Sequence, residues 1–118
     1  MLIKSLPRIK KKIMGSHGDT ALYQTFWQGD EKPDDIKSFR NFARITVKPG
    51  GTNKVHTHND VEQIYIILQG KGTVEVGEEK AQVKAGDAIY LPAKIPHGFF
   101  NTSDKTTILL LIGTQINH

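Results

Sequence analysis

Short runs rich in β-branched and aromatic residues recur along the chain, separated by glycine, proline and other turn residues. Within several runs apolar and polar positions alternate, as in Thr-Val-Glu-Val at 73–76, which is typical of a half-exposed strand. Many short strands at close intervals predict an all-β sandwich or barrel. The predicted strands are Ala21–Gln28, Phe39–Val47, Val55–His58, Gln63–Gln69, Gly72–Val76, Lys80–Lys84, Ala88–Leu91, Gly98–Phe100 and Thr106–Ile112.

The segments between the runs predict turns and one short helix. Residues 70–72 and 77–79 are predicted to form hairpin turns, because glycine supplies the left-handed backbone that such turns need. One brief helix is predicted around Asp34–Phe39. The sequence contains no internal repeat, so we expect one barrel domain over residues 21–118, preceded by a basic arm or edge strand over residues 1–20.

The composition restricts both the site and the location of the protein. None of the 118 residues is cysteine, so a transition metal would need nitrogen and oxygen ligands. The longest apolar run, Ile108–Ile112, is far shorter than the roughly 20 residues of a membrane span. The amino terminus also lacks the apolar core of a signal peptide. We therefore expect a cytoplasmic protein with no membrane partner.

The positive charge is concentrated in the arm. The net charge is +4, but residues 1–14 contribute five cations and no acid, so the remaining residues sum to −1. Leucines and isoleucines are interleaved with these cations, which argues against a nucleic-acid partner. So short a segment cannot bury its own apolar residues, and we expect it to add a strand to a neighbouring copy in a homodimer.

Three of the five histidines lie close to turn residues in two separate segments. His56 and His58 are two residues apart, so on an extended strand their imidazoles leave the same face and can converge on one ion. His97 follows the apolar run Ala88–Leu91 and could supply a third nitrogen from another strand.

The spacing of these residues resembles that of the cupin superfamily. The first motif is Gly50, five residues, His56, one residue, His58, four residues, Gln63, six residues, Gly70; the second is Gly86, five residues, Pro92, four residues, His97, three residues, Asn101. Gln63 stands where most members carry Glu, and Lys94 where the family usually has Gly. The resemblance covers about Phe42 to Asn101 and implies a double-stranded β-helix, or jelly-roll barrel, with a metal site near one mouth.

The resemblance also implies the ligand set. His56, His58, His97 and Gln63 would bind one divalent transition metal per chain, and zinc, nickel, manganese, iron, cobalt and copper all suit such ligands. The alternative is a metal-free barrel in which the histidines are satisfied polar residues. Because Gln63 is neutral, a bound divalent ion would keep its +2 charge and favour an anionic ligand. Glu62 is expected on the opposite face of the strand unless a bulge precedes Gln63.

Further residues are candidates for contact with a substrate. Tyr65 shares the face of Gln63 and is either a catalytic acid, base or orienting donor, or a core tyrosine. Phe99 and Asn101 share the parity of His97 and are expected to line the cavity or its mouth. Arg44 would bind a substrate carboxylate if its side chain faces inward, and would otherwise be solvated on the outer sheet.

A metal site that keeps a net charge of +2 beside a proton donor favours Lewis-acid chemistry of the isomerase, tautomerase or lyase type. The expected substrate is a small anionic molecule such as a sugar acid or a keto acid, because the resemblance includes cupins that convert sugar acids. Two alternatives stay open: an oxygen-dependent dioxygenase or decarboxylase, and a module that binds a metal or small ligand without turnover.

Overall fold

The computed structural model describes residues 1–116, apart from the side chains of Ser16, Val55 and His56. Strands account for most of the regular structure. They are β1 (Lys12–Ile13), β2 (Ala21–Thr25), β3 (Phe39–Val47), β4 (Thr52–His56), β5 (Val61–Gln69), β6 (Lys71–Val76), β7 (Glu79–Lys84), β8 (Ala88–Leu91), β9 (His97–Phe100) and β10 (Thr107–Gln115). The helical segments in this part of the chain are short 3₁₀ turns at Leu6–Arg8, Gly15–His17 and Gly29–Glu31.

The strands form two antiparallel sheets. One sheet has the order β1-β2-β3-β10-β5-β8 and the other the order β4-β9-β6-β7. Neighbouring strands are often distant in sequence, as when β10 lies between β3 and β5. The predicted all-β fold is confirmed. Within residues 1–116 no helix has the length and apolar character needed to span a membrane.

The hydrophobic core lies between the inner faces of the two sheets. On β3 and β10 alternate residues are fully buried, including Ile45, Val47 and Leu109. The period of two places one face of each strand inside and the other outside. Burying each such aliphatic side chain stabilises the fold by about 1.5 to 3 kcal/mol.

Gly70 turns the chain from one sheet into the other. It joins β5 to β6, which belong to different sheets, so the hairpin predicted at residues 70–72 is wrong. Its φ is +86°, and a Cβ there would lie 2.6 Å from Oγ1 of Thr107. The hairpin at residue 77 is confirmed, since β6 and β7 pair through a two-residue turn.

The helix predicted around Asp34–Phe39 does not form. The segment contains a turn at residues 34–35, and Phe39 begins β3, where it pairs with Thr114 of β10. A helix of this length is marginal without tertiary support.

The arm forms an edge strand on the large sheet of its own chain. Lys12 and Ile13 pair with Tyr23 and Leu22, and Nε2 of Gln24 donates hydrogen bonds to backbone oxygens of the arm. The side chains of residues 2, 3 and 13 stay largely exposed in the single chain. The homodimer therefore remains a prediction.

Candidate functional site

Two predicted metal ligands meet at one end of the barrel, which we call the histidine end. His97 begins β9 and is 2% exposed, and His58 follows β4. Their ring centroids lie 5.7 Å apart. The backbone of His56 pairs with His97 across the two strands, but the His56 side chain lies outside the described residues. Among the described side chains, no three His, Asp or Glu residues are grouped as a metal would require.

Gln63 lies on the inner face of β5 and is 2% exposed. Its Nε2 donates a hydrogen bond to Oδ1 of Asn41 at 2.8 Å. Its Oε1 is buried and accepts no hydrogen bond from any described residue. A buried acceptor without a donor costs about 1 to 3 kcal/mol, so this oxygen is suited to a ligand that supplies the missing interaction. Two imidazoles and an amide oxygen are ligands that divalent transition metals accept, so the described residues fit such an ion.

Glu62 lies on the opposite face, as expected. Its carboxylate accepts a hydrogen bond of 2.8 Å from the exposed hydroxyl of Tyr90 on β8. The pairing between β5 and β10 runs without a register shift from Val61 to Gln63. No bulge therefore exchanges the two side chains, and Gln63 is the one that faces inward.

Tyr65 is buried between the sheets beside His97. The two rings meet edge-on with centroids 6.1 Å apart. Its hydroxyl oxygen accepts a hydrogen bond of 3.0 Å from Nδ2 of Asn53, and Oδ1 of Asn53 accepts one of 3.0 Å from Tyr23. Burial, reinforced by the neighbouring Tyr23, raises the pKa of Tyr65 far above its usual range. Tyr65 is therefore a neutral phenol, which suits a hydrogen-bond donor or acid and not a phenolate base.

The structure does not bring Asn101 to the histidines. Its Nδ2 donates to the backbone oxygens of Val47, Lys48 and Lys105, and its Oδ1 accepts two hydrogen bonds from Ser103. These contacts join two loops at the opposite end of the barrel, which we call the asparagine end. Phe99 is fully buried in the hydrophobic core.

Arg44 lies on the outer face of its sheet, away from Gln63. Ala43 and Ile45 on either side point into the core, and Nη1 of Arg44 donates to Oε1 of Gln24 at 3.3 Å. Arg40 is a cation at the histidine end that the sequence motifs did not indicate. Nη1 of Arg40 lies 3.6 Å from the carboxylate of Asp60, two residues after His58.

The sequence pattern of the Cupin domain family matches residues 43–113, which is more than half of the chain. The chain belongs to the cupin family. It spans about half to three fifths of the length of the first curated relatives that it matches.

Relatives of this cupin have different described functions. It is 29% identical over 115 residues to a glucose-6-phosphate isomerase from Thermococcus litoralis, covering 86% of this chain and 58% of that protein. It is 32% identical over 73 residues to an oxalate-binding protein from Thermotoga maritima, covering 62% and 60%. A crystal structure of a predicted oxalate decarboxylase from Thermotoga maritima superposes with a TM-score of 0.83 at 22% identity, covering 97% and 99%. That structural likeness supports the fold.

Lys94 stands where the cupin pattern usually has glycine, and its backbone is strained. Its φ is +69°, a left-handed conformation that glycine adopts at little cost and lysine at a greater one. Its backbone N–H donates a hydrogen bond to the backbone oxygen of His58. The strained residue thus holds the loop that carries a candidate ligand.

An apolar pocket of about 360 Å³ lies at the base of the loop before β3. Apolar side chains dominate its wall, and Arg40 and Asn41 are its polar members. The apolar lining residues are Phe26, Trp27, Ile36, Phe39, Phe42 and Ile112. Such a wall suits an apolar group, so this pocket is not the small-anion site that the cupin motifs predict.

Proposed function

We propose that this cupin is a metal-dependent enzyme that isomerises small hydroxycarbonyl anions by proton transfer. The substrate class includes sugar acids, keto acids and sugar phosphates. The buried Oε1 of Gln63 carries the proposal, because it is an unpaired oxygen on the same inner face as Tyr65. Tyr65 in turn contacts His97, which contacts His58.

The proposed ligands are His56, His58, His97 and Gln63. A divalent ion bound by them would supply Lewis acidity, which stabilises negative charge on a substrate oxygen. None of these four side chains brings a negative charge, so the site favours an anion over a neutral sugar. Arg40 lies near the histidine end of the barrel, but its ion pair with Asp60 adds no net charge there.

Tyr65 is the proposed hydrogen-bond donor to the substrate's carbonyl oxygen. Negative charge develops on that oxygen when the neighbouring carbon gives its proton to a water molecule, and a proton from water is then added at the isomerised position. The Tyr65 oxygen already accepts a hydrogen bond from Asn53, so its own hydrogen is available to a substrate. Tyr23 fixes the Asn53 amide from the other side. The raised pKa keeps the Tyr65 proton in place throughout the neutral range, so the phenol donates a hydrogen bond without itself ionising.

Relatives support this reaction class. One is a glucose-6-phosphate isomerase, whose name describes conversion of a small anionic sugar. Our proposal extends that reaction class, but not that substrate, to this chain.

The test follows solvent proton exchange by NMR in deuterated water without oxygen. Protein loaded with zinc, manganese, iron or nickel is incubated with a panel of uronates, 2-keto acids and sugar phosphates. We expect deuterium at the carbon next to the carbonyl of at least one substrate. Tyr65→Phe should lower that rate about 100-fold while keeping metal and fold.

Tyr90→Phe is the matched control, because Tyr90 is an exposed tyrosine on the outer face of a neighbouring strand. It should exchange at the wild-type rate. Equal rates for Tyr65→Phe and wild type would contradict the role of Tyr65. Product that forms only in the presence of oxygen would favour dioxygenase or decarboxylase chemistry.

A second candidate function is the binding of a small dicarboxylate without turnover. The similarity to an oxalate-binding protein favours it, and the uncharged ligand set suits a dianion equally well. Tight binding of oxalate to metal-loaded protein, with no exchange or product across the panel, would select this function.

A further inference from the structure

Three residues lie in register across the middle of the large sheet at its histidine end. Gly113 on β10 pairs with Asn41 on β3 and with Gln63 on β5. The strands that carry Asn41 and Gln63 are therefore not neighbours, and their backbones are roughly 9.5 Å apart, twice the usual strand spacing. The two side chains nevertheless meet over the glycine, where Nε2 of Gln63 donates to Oδ1 of Asn41 at 2.8 Å.

The contact requires glycine at position 113. A Cβ there would lie 2.5 Å from Oδ1 of Asn41 and 3.1 Å from Cγ of Gln63. The first distance is shorter than real Cβ atoms show, so an added methyl group would displace Asn41 or Gln63. A glycine inside a strand weakens pairing and commonly marks a close approach of other groups. Here the groups that approach are the two side-chain amides.

The hydrogen bond selects one of two orientations of the Gln63 amide. Asn41 presents Oδ1, which can only accept a hydrogen bond, so it holds Nε2 of Gln63 and turns Oε1 to the other side of the planar amide. In that orientation Oε1 is buried and lacks a donor among the described residues. The reverse pairing, with Nδ2 of Asn41 donating to Oε1, would turn the Gln63 N–H groups to the ligand, and these cannot bind a cation. Asn41→Asp excludes that reverse pairing.

We propose that Asn41 and Gly113 are positioning residues that keep the Gln63 amide turned with Oε1 available to a bound cation. The inference rests on the proposed metal site. It parallels the general role of outer residues that orient the ligands of metal centres, whose loss typically lowers metal affinity 10- to 100-fold.

Two variants remove the orienting contact, and two keep it. Asn41→Leu removes the acceptor, and Gly113→Ala forces the pair apart. Asn41→Asp retains an acceptor and should bind metal at least as tightly as wild type. Gly15→Ala is the glycine control, because a Cβ at Gly15 meets nothing within 4 Å.

The first readout is calorimetric titration of the metal-free protein with zinc or manganese. We expect the dissociation constant to rise at least 10-fold for Asn41→Leu and for Gly113→Ala, and to stay within about 3-fold of wild type for Gly15→Ala. In a Gln63→Leu background, Asn41→Leu should cause no further loss. Wild-type affinity in both Asn41→Leu and Gly113→Ala would overturn the proposal.

The second readout needs no metal and so separates this inference from the proposed function. In ¹⁵N-labelled metal-free protein, the side-chain NH₂ signal of Gln63 is identified by its loss in Gln63→Leu. We expect it to shift and to exchange faster in Asn41→Leu and Gly113→Ala, and to be unchanged in Gly15→Ala. If wild type bound no metal, the proposed function would fail, and this signal alone would decide the positioning role: a shift supports it and an unchanged signal overturns it.

Discussion

The two ends of the barrel each bury a side-chain amide, and the two amides differ in the hydrogen bonds they make. At the asparagine end, Asn101 makes five hydrogen bonds, three as donor and two as acceptor. At the histidine end, Gln63 makes one through Nε2, and its buried Oε1 has no donor among the described residues. The two residues are similarly buried, at 1% and 2% exposure, so burial alone does not explain the contrast.

Backbone strain is distributed in the same uneven way. Of the described residues other than glycine, those with positive φ are Trp27 and Lys94. Lys94 holds the His58 loop, and Trp27 lines the pocket beside Asn41, so both lie at the histidine end. Strained backbone often marks functional sites. A buried polar atom without a described partner is less specific, since Oγ1 of Thr46, next to Val47, is another. The asparagine end stabilises the fold, and the histidine end retains features that cost stability.

The largest expected effect is on stability at the asparagine end. Asn101→Ala removes five hydrogen bonds, including those to the backbone oxygens of Val47 and Lys48, while the oxygen of Lys105 keeps its bond from Oγ of Ser103. The free energy of unfolding should therefore fall by about 3 kcal/mol or more. Urea denaturation of the metal-free protein measures the loss. Metal affinity of the folded fraction should not change. A loss below about 1 kcal/mol would mean that the two ends do not differ as described.

Gln63→Leu should instead have little effect on stability and a large effect on metal affinity. It removes the unsatisfied oxygen together with one hydrogen bond, so we expect the unfolding free energy of metal-free protein to change by about 1 kcal/mol or less. Metal affinity should fall at least 10-fold, whereas Gln63→Glu should raise it by adding an anionic oxygen. Equal metal affinity in all three proteins would show that Gln63 does not contact the ion.

Much of the fold was predictable because its signals are local. Short β-prone runs between turn residues located β3 and β8 with their observed ends, and motif spacing predicted a cupin barrel. Alternation along the second half of β3 also indicated the position of Arg44. Ala43, Ile45 and Val47 are apolar and therefore inward, which places Arg44 outside.

Other features depend on which strands become neighbours, which one sequence does not reveal. Parity with His97 was expected to place Asn101 at the cavity, but β9 ends at Phe100 and the chain then turns towards Val47 and Lys105. The contact between Asn41 and Gln63 requires the order of β3, β10 and β5. A glycine directly after the apolar run, inside what becomes β10, was the available signal that something approaches there.

The smallest expected effect concerns the strain at the histidine end. Lys94→Gly should raise the unfolding free energy by about 0.5 kcal/mol. Removing the left-handed lysine backbone stabilises the folded state by about 1 to 2 kcal/mol. The added freedom of glycine in the unfolded chain offsets about 0.4 to 1 kcal/mol of that gain.

Lys94→Ala is the control, because it removes the same charge and keeps a Cβ in the strained conformation. Its unfolding free energy should stay within about 0.3 kcal/mol of wild type. Thermal and urea unfolding of metal-free protein would compare the three. Glycine and alanine variants of equal stability would indicate that the left-handed residue at position 94 costs the protein nothing, and the contrast between the two ends would then rest on Gln63 and Trp27.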